Sequence, residues 1–472
     1  MAGAEKTTLF RDLSFIVSCD DEDRVYQNAS LLVCGNSIKC VAEETGSLHG
    51  NKPEMPVADE VIDCGGMVLY PGLINTHHHL YQTFSRNLPE VQGLQLFAWL
   101  KKLYEIWKNL DEEVIYYSAM TGLSELLLGG CTTCMDHHYV FPKGCQGNLL
   151  AEQFRAADTL GIRFHATRGS MDLSVKDGGL PPDAVVQSVD EILKDCEDAV
   201  SRFHDAKRFS MHRVLLAPCS PFSVSEDLLR ESARLARSLG VRLHTHLAET
   251  KDEENYTLSR YGIRPLAYME RLDWLGEDVH FAHGIHFNDD EIALLAQTKT
   301  GVAHCPASNM KLSSGVARIP DLLEQGVPVG LAVDGSASND ASSLMEEMRT
   351  AYLLHRLTYG DRAPDGYEIL KMATRGSARI LGRDDIGCIA PGMAADFFLV
   401  DLKDIALCGA QFDVKSMLST VGLRRNADMT VVNGRIVVRN RKLVTVDEAD
   451  LVSRAEDVQR NYILATSSCV TS

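Results

Sequence analysis

Apolar runs alternate with amphipathic segments from residue 67 to residue 386. The segment from Asp111 to Leu128 shows the helical half of the pattern, because Asp111 can cap a helix and apolar residues then recur at intervals of three and four. Glu112 and Glu113 suit the positive end of that helix, and a glycine pair ends it. An apolar strand follows. This order recurs along the region and predicts an α/β protein.

Eight apolar runs in this region are strand candidates. They are Met67 to Leu73, Thr132 to Met135, Arg163 to Thr167, Val214 to Pro218, Val241 to His246, Val279 to His283, Gly301 to Cys305 and Val327 to Val333. Eight strands separated by helices predict a closed (β/α)8 barrel of the TIM type over residues 67–386. A doubly wound sheet has the same alternation, and the position of the polar residues favours the barrel.

The two ends of the chain follow a different pattern. Short β-type runs such as Ser30 to Val33 and Ile436 to Val438 lie between glycine and asparagine residues. Because both ends flank the barrel, we expect one small β-sandwich assembled from residues 1–66 and 387–472. From Asp447 onward the sequence predicts a helix and then a polar end.

Composition and charge narrow the functional classes. Apolar residues make up 45% and charged residues 24% of the 472 residues, as in globular proteins. The 47 basic and 65 acidic residues give a formal net charge of −18, which repels polyanions, so we expect no nucleic-acid partner. The first residues lack the apolar core of a signal peptide, and no run approaches the roughly 18 apolar residues of a membrane span. We therefore expect a cytoplasmic protein without membrane contact.

The cysteines point to a reduced environment. Thirteen cysteines are an odd number, and the chain opens without a secretory signal, which favours free thiols over a disulfide framework. Cys131 and Cys134 have the spacing of a redox or zinc motif. Since no second pair completes a four-thiolate site, we interpret them as two small buried residues of a strand.

Histidines and carboxylates fall at the ends of the predicted strands. His77 and His79 end the first strand and alternate onto the same side of an extended segment. The fifth strand ends in His246, the sixth in His283, and the eighth is followed by Asp334. Active sites of (β/α)8 barrels collect at this carboxyl end of the strands. A bare pair of histidines occurs often by chance, but buried structural residues would not all fall at this one face.

Three imidazoles and a carboxylate suit a borderline divalent ion. We expect His77, His79, His246 and Asp334 to bind one ion, with zinc favoured and ferrous iron as the alternative. Zinc lowers the pKa of a water ligand to about 7, which suits hydrolysis at neutral pH. Glu249 follows His246 by three residues and is the candidate for proton transfer.

Substrate contacts are less well marked in the sequence. Gln82 offers a donor and an acceptor that match a heterocyclic amide, and Arg86 could meet a carbonyl oxygen. The alternative is that both are polar residues at a helix start that bond to the backbone. Tyr139 and Trp99 could stack on a ring, although core or lid packing is the commoner use, and we assign them no role.

Several segments together resemble the amidohydrolase superfamily over nearly the whole chain. The matching segments are Pro71 to His79, His246 to Glu249, Ala282 to Gly284, Val333 to Gly335, Pro391 to Asp396 and Val432 to Arg435. The fourth strand is followed by Cys219 and Ser220 instead of a bridging lysine, so the chain is similar to the mononuclear branch. Asn75, where many members have aspartate, is a departure outside the ligand set.

The resemblance implies roles for the remaining site residues. Asp334 activates the attacking water, His283 holds it, and Glu249 protonates a ring nitrogen and then assists departure of the amine. A scaffold that had lost catalysis would show a broken ligand set, whereas all these residues are present.

Finer similarity favours one group within the branch. Residues 79–89, 168–172, 217–222 and 304–310 most resemble the 8-oxoguanine deaminases. This implies a deaminase that converts 8-oxoguanine to urate and ammonia. Isocytosine and isoxanthopterin deaminases, and triazine hydrolases that remove chloride, methylthio or alkylamino groups, are the alternatives. We expect a small heterocyclic substrate and a homo-oligomer, either a dimer or larger.

Overall fold

The computed structural model of the chain describes residues 5–43, 57–145 and 147–469. Within these ranges, no helix combines the length and the apolar character needed to cross a membrane. The N-terminal segment contributes five strands to a mixed sheet: β1 (Thr7–Val17), β2 (Val25–Cys34), β3 (Ser37–Glu43), β4 (Glu60–Asp63) and β5 (Met67–Pro71). Strand β1 pairs antiparallel with β2 and parallel with both β4 and β5.

Eight parallel strands form the barrel. They are β6 (Leu73–Asn75), β7 (Cys131–Asp136), β8 (Arg163–Ser170), β9 (His212–Pro218), β10 (Leu243–Leu247), β11 (Val279–His283), β12 (Gly301–His304) and β13 (Val329–Leu331). Neighbouring strands pair in chain order from β6 to β13. The barrel closes where the amide and hydroxyl groups of Thr76, just after β6, donate to the carbonyl of Leu331.

Helices connect the strands on the outside of the barrel. They are α1 (Leu96–Trp107), α2 (Glu112–Leu128), α3 (Leu149–Leu160), α4 (Val189–Phe203), α5 (Glu226–Leu239), α6 (Lys251–Tyr261), α7 (Pro265–Arg271), α8 (Asp289–Thr298), α9 (Pro306–Lys311), α10 (Ile319–Glu324), α11 (Ser336–Asn339), α12 (Leu344–Tyr359), α13 (Gly366–Lys371) and α14 (Ser377–Ile380). The predicted cap of α2 is confirmed, since the Asp111 carboxylate accepts the amide of Val114 at 2.9 Å. A 3-10 helix (Leu80–Ser85) follows β6, and a π-helical turn (Met372–Gly376) precedes α14.

The C-terminal segment completes the first sheet. It adds β14 (Phe397–Asp401), a short helix α15 (Met417–Thr420), β15 (Met429–Val432), β16 (Arg435–Arg439), β17 (Lys442–Leu443) and the final helix α16 (Glu448–Cys469). Strand β14 pairs with β5, so the two termini form one sheet in the order β17-β16-β15-β14-β5-β1-β2-β3. The sheet curls around its own apolar core, as Phe10 of β1 packs edge-on against Phe397 of β14 at 5.0 Å. The polar end expected at 470–472 lies outside the described residues.

The first predicted barrel strand is divided between two sheets. Residues Met67–Pro71 pair with β1 and β14 in the terminal sheet, and the barrel begins only at Leu73. The chain crosses between the sheets at Gly72, where a Cβ atom would lie 2.1 Å from the Thr132 hydroxyl. The residues of both strands are buried and form one continuous apolar run. The sequence pattern therefore does not show where the chain crosses from one sheet to the other.

Candidate active site

Four predicted metal ligands converge at the carboxyl end of the barrel. His77 and His79 follow β6, His246 lies in β10 and Asp334 follows β13, and all four side chains are buried. The Nε2 atoms of His79 and His246 are 3.2 Å apart. Asp334 Oδ1 lies 3.3 Å from His77 Nε2 and 3.2 Å from His79 Nε2.

Hydrogen bonds on the far side of each ring define its tautomer. His79 Nδ1 lies 2.7 Å from the carbonyl of His137, and His246 Nδ1 lies 2.6 Å from the carbonyl of Cys219. Because a carbonyl can only accept, both Nδ1 atoms carry the proton, and both Nε2 lone pairs point to the centre of the site.

His77 is fixed by a relay of two histidines. His244 Nδ1 lies 3.0 Å from the carbonyl of His280 and therefore carries a proton. Its Nε2 must then accept, and it lies 2.8 Å from His77 Nδ1. His77 Nδ1 consequently donates, which leaves its Nε2 lone pair facing Asp334.

The protonation states fit a divalent cation. Burial lowers the pKa of His77 to about 3 and that of His246 well below its usual value. Burial raises the pKa of Asp334, but the neighbouring imidazoles outweigh this effect and hold the pKa well below its usual value, so the carboxylate is ionised. Four acceptor atoms therefore face one another, and His77 Nε2 has no hydrogen-bond partner among the described groups. This arrangement is repulsive unless a cation lies between them, and the donor set is one that zinc accepts.

Glu249 and His283 lie beside the four ligands. His283 Nε2 is 3.6 Å from Glu249 Oε2 and 3.9 Å from Asp334 Oδ2. Burial lowers the pKa of His283, but the carboxylates of Glu249 and Asp334 raise it above its usual value. Burial raises the pKa of Glu249. The two groups can exchange a proton at the edge of the predicted metal centre.

Gln82 reaches the cavity in front of these residues. A Cβ atom on Gly335 would lie 1.9 Å from Gln82 Oε1, so only glycine leaves room for the amide there. The cavity wall also contains Trp99, Tyr139 and Cys219, and the indole Nε1 of Trp99 is buried without a partner among the described groups. The cavity volume is about 30 Å³, room for one or two water molecules.

Arg86 does not reach this cavity, contrary to our expectation. Its Nη1 donates to Glu125 Oε2 of α2 at 3.1 Å, and it lines a separate groove beside α16. Gln82 lies within the 3-10 helix and Arg86 just after it. A 3-10 helix turns once in three residues, so side chains four residues apart point in different directions. Arg86 is therefore removed from the predicted substrate contacts.

Some residues of the site were missed by the sequence analysis. His137 follows β7 and belongs to a buried group with His77, His79 and His246. Its position at a strand end is the signal that would have found it. Asn309 Oδ1 bonds His283 Nδ1 at 2.9 Å, and the Ser308 hydroxyl donates to Asp334 Oδ2 at 2.6 Å. These two residues could not be found from a position at the end of a strand, because they lie in α9.

Comparison with known proteins gives consistent matches. The model of the amidohydrolase family matches residues 68–437. The chain is 45% identical to 8-oxoguanine deaminase of Pseudomonas aeruginosa, covering 86% of this chain and 89% of the relative. It is 42% identical to hydroxydechloroatrazine ethylaminohydrolase of Pseudomonas sp. strain ADP, covering 97% and 96%. The crystal structure of atrazine chlorohydrolase from Arthrobacter aurescens TC1 complexed with zinc superimposes with a TM-score of 0.90 at 32% identity, covering 96% of this chain and all of that one.

Proposed function

The chain belongs to the amidohydrolase family, and from that premise we propose that it is a metal-dependent hydrolytic deaminase of a free amino-substituted heterocycle. The favoured substrate is 8-oxoguanine, and the products are urate and ammonia. The observation that carries the proposal is the buried cluster of four facing acceptor atoms with Glu249 and His283 at its edge. The 8-oxoguanine deaminase relative at 45% identity supports the choice of substrate.

His77, His79, His246 and Asp334 would hold one divalent ion. Zinc is favoured because structural neighbours are complexed with zinc, and ferrous iron is the alternative. When bound, such an ion acts as a Lewis acid that makes water a nucleophile near neutral pH.

The protein residues then move the protons. Asp334 removes a proton from the attacking water, its Oδ2 oriented by Ser308. His283 holds that water and is itself oriented by Asn309. Glu249, whose pKa is raised by burial, donates its proton to a ring nitrogen and regains one from the hydroxyl that the water has become, which helps to expel the amine. The proton held by Asp334 passes to that amine, which leaves as ammonia.

Substrate recognition in this proposal combines one amide and two aromatic side chains. Gln82 offers both a donor and an acceptor to the heterocyclic amide edge. Trp99 and Tyr139 supply apolar walls, and the unpaired Nε1–H of Trp99 is available to a carbonyl oxygen. A site built this way disfavours rings without the matching carbonyl, because a buried donor would stay unpaired.

Triazine hydrolysis is the second candidate. The hydroxydechloroatrazine ethylaminohydrolase relative covers more of the chain than the 8-oxoguanine deaminase relative does. The isoxanthopterin deaminase relative is 33% identical over 97% of the chain, and isocytosine is a further substrate to test. All these reactions would use the same ligands. The deaminations release ammonia and differ in the ring that is bound, whereas the triazine reaction releases a different group.

We also propose a domain organisation and a cellular location for the protein. Residues 72–386 form the catalytic unit, and residues 1–71 and 387–472 form the supporting unit. The net charge of −18 argues against a nucleic-acid partner. We place the protein in the cytoplasm as a homo-oligomer, a dimer or larger.

The test is release of ammonia from 8-oxoguanine, guanine, isoxanthopterin and isocytosine, and release of alkylamine from alkylamino-hydroxytriazines, by the zinc-loaded protein. We expect 8-oxoguanine to give the highest kcat/KM. Glu249→Gln keeps the size of the side chain and removes its proton, so turnover should fall by about 10²–10⁴ with unchanged metal content. Release from a triazine alone would transfer the function to the second candidate, and release from none of these compounds would reject the proposal.

A further inference from the structure

A second buried glutamate lies directly behind Glu249. Glu253 is the third residue of α6, and its side chain is buried. Its Oε1 accepts the amide of Ala248 at 2.9 Å, and its Oε2 accepts the amide of Glu249 at 3.0 Å. One carboxylate therefore holds two consecutive backbone N–H groups, the second of which belongs to the proposed proton carrier.

This contact differs from ordinary helix capping. In a capping box, the glutamate at the third helical position returns to the amide of the cap residue itself. Helix α4 follows this rule, with Glu191 accepting the amide of Ser188 at 2.9 Å. In α6 the cap is Thr250, whose hydroxyl accepts the amide of Glu253 at 3.3 Å, but the glutamate reaches past it to residues 248 and 249. The extra reach is not needed to begin the helix.

The peptide held by Glu253 adopts an unfavourable conformation. Ala248 has φ of 54°, in the left-handed region that costs free energy for a residue with a Cβ atom. Its carbonyl accepts the amides of Ile285 at 2.9 Å and His286 at 3.0 Å, in the loop that follows His283. This left-handed turn is what brings the chain back to the site after β10, so that Glu249 faces His283.

The position of Glu253 is itself costly. Burial raises the pKa of this carboxyl, and the two backbone hydrogen bonds, which need the ionised form, oppose that shift. Among the described residues, no lysine or arginine forms an ion pair with it. A buried carboxyl that has backbone partners alone contributes little to the stability of the fold. Its presence beside Glu249 therefore indicates a role in the site.

We infer that Glu253 is a positioning residue that fixes the backbone of Glu249 and thereby aims the Glu249 carboxyl at the substrate. The inference rests on the proposed function, because it needs Glu249 to act in proton transfer. Glu253 itself contacts no reacting atom and acts only through Glu249.

The first test is Glu253→Gln in the zinc-loaded protein. An amide has one acceptor oxygen, so its NH2 group would face one of the two backbone N–H groups. We expect kcat to fall about 10–100-fold through misplacement of Glu249, with KM and metal content unchanged. Glu191→Gln, the same change at the same helical position of α4, should have no effect. A wild-type kcat in Glu253→Gln would overturn the inference.

A double-mutant cycle separates positioning from general structural damage. If Glu253 acts only through Glu249, the double variant Glu249→Gln/Glu253→Gln should have the same kcat as Glu249→Gln. If the fold-loss of kcat in the double variant equals the product of the two single losses, the inference is overturned. If Glu253→Gln does not fold, Glu253→Ala serves in its place, because water can enter and accept both N–H groups.

A measurement without substrate keeps this test separate from the proposed function. Hydrogen exchange of the Ala248 and Glu249 amides should be faster in Glu253→Gln than in the wild type and in Glu191→Gln. If the wild type released ammonia from no heterocycle, the proposed function would fail while this exchange could still be measured. Unchanged exchange rates of these two amides would show that Glu253 does not fix the backbone, and would overturn the inference.

Discussion

At the scale of single residues, the site depends on which nitrogen of each imidazole carries the proton. The carbonyls of His137 and Cys219 decide this directly for His79 and His246. For His77, the tautomer is set by the imidazole of His244, whose own tautomer is set by the carbonyl of His280. Each of these partners is buried, so loss of one leaves an imidazole in the site without the hydrogen bond that orients it.

Replacement of His244 should therefore weaken metal binding without removing a ligand. We expect one equivalent of divalent ion in the wild type, and an affinity about 10–100-fold lower in His244→Leu, measured by chelator competition. His244→Gln should lose less, since its oxygen can accept from His77 and its NH2 group can donate to the His280 carbonyl. His280→Leu is the control, because it keeps the backbone carbonyl of the relay and replaces the ring, which packs against that of His244 with centroids 4.2 Å apart, by an apolar group. Equal affinities in wild type and His244→Leu would contradict the relay.

At the scale of elements, α1 acts as the cover of the cavity. Leu96, Trp99 and Leu100 recur at intervals of three and four and lie on one helix face, which lines the cavity opposite His246 and Glu249. Leu312, after α9, lies in the same wall. Since the cavity volume of about 30 Å³ is too small for a heterocycle, we expect α1 to move when substrate binds.

Truncation of the cover should expose the thiol of Cys219. This residue is buried in the cavity wall, and burial raises its pKa to about 12, so it should react slowly with iodoacetamide. Trp99→Ala leaves an opening and lowers the cost of forming the thiolate, so alkylation should be severalfold faster by peptide mass spectrometry. Cys196 of α4, which is buried away from the site, is the internal control. Unchanged labelling of Cys219 would show that α1 is not the barrier.

At the scale of the whole molecule, one buried ion pair joins the barrel to the terminal sheet. Arg163 at the start of β8 binds Asp396, just before β14, with Nη2–Oδ2 and Nη2–Oδ1 distances of 2.9 and 3.1 Å. Asp396 also accepts the amide of Asn433, in the turn between β15 and β16. Both charged side chains are almost fully buried, so each depends on the other.

Removal of one charge of this pair should destabilise the whole protein. Asp396→Asn leaves the Arg163 guanidinium buried without a counter-charge, and we expect a loss of about 3–5 kcal/mol in the free energy of unfolding. Urea titration followed by circular dichroism measures it. Glu231→Gln removes the partner of Arg234 in an exposed ion pair and should cost less than about 1 kcal/mol. Similar losses in the two variants would show that the buried pair does not hold the units together.

The sequence by itself determined the alternation of strands and helices and the cap of α2, and it placed the four predicted ligands, Glu249 and His283 at or near strand ends. These features are local, since hydrophobic period, helix caps and strand ends are set by residues close together in the chain. The carboxyl ends of parallel strands then meet at one face of a barrel, whatever the packing between them. Convergence of His77, His246 and Asp334 therefore followed from their positions in the strands.

Features that depend on contacts between segments far apart in the chain were decided only by the tertiary structure. It removed Arg86 from the site by pairing it with Glu125, and it placed Trp99 of α1 in the wall of the cavity. It also assigned Met67–Pro71 to the terminal sheet, 330 residues from its partner β14. Side-chain direction after a short helix and pairing between chain ends leave no periodic signal in the sequence. They are decided when packing selects one arrangement among several that the local pattern permits.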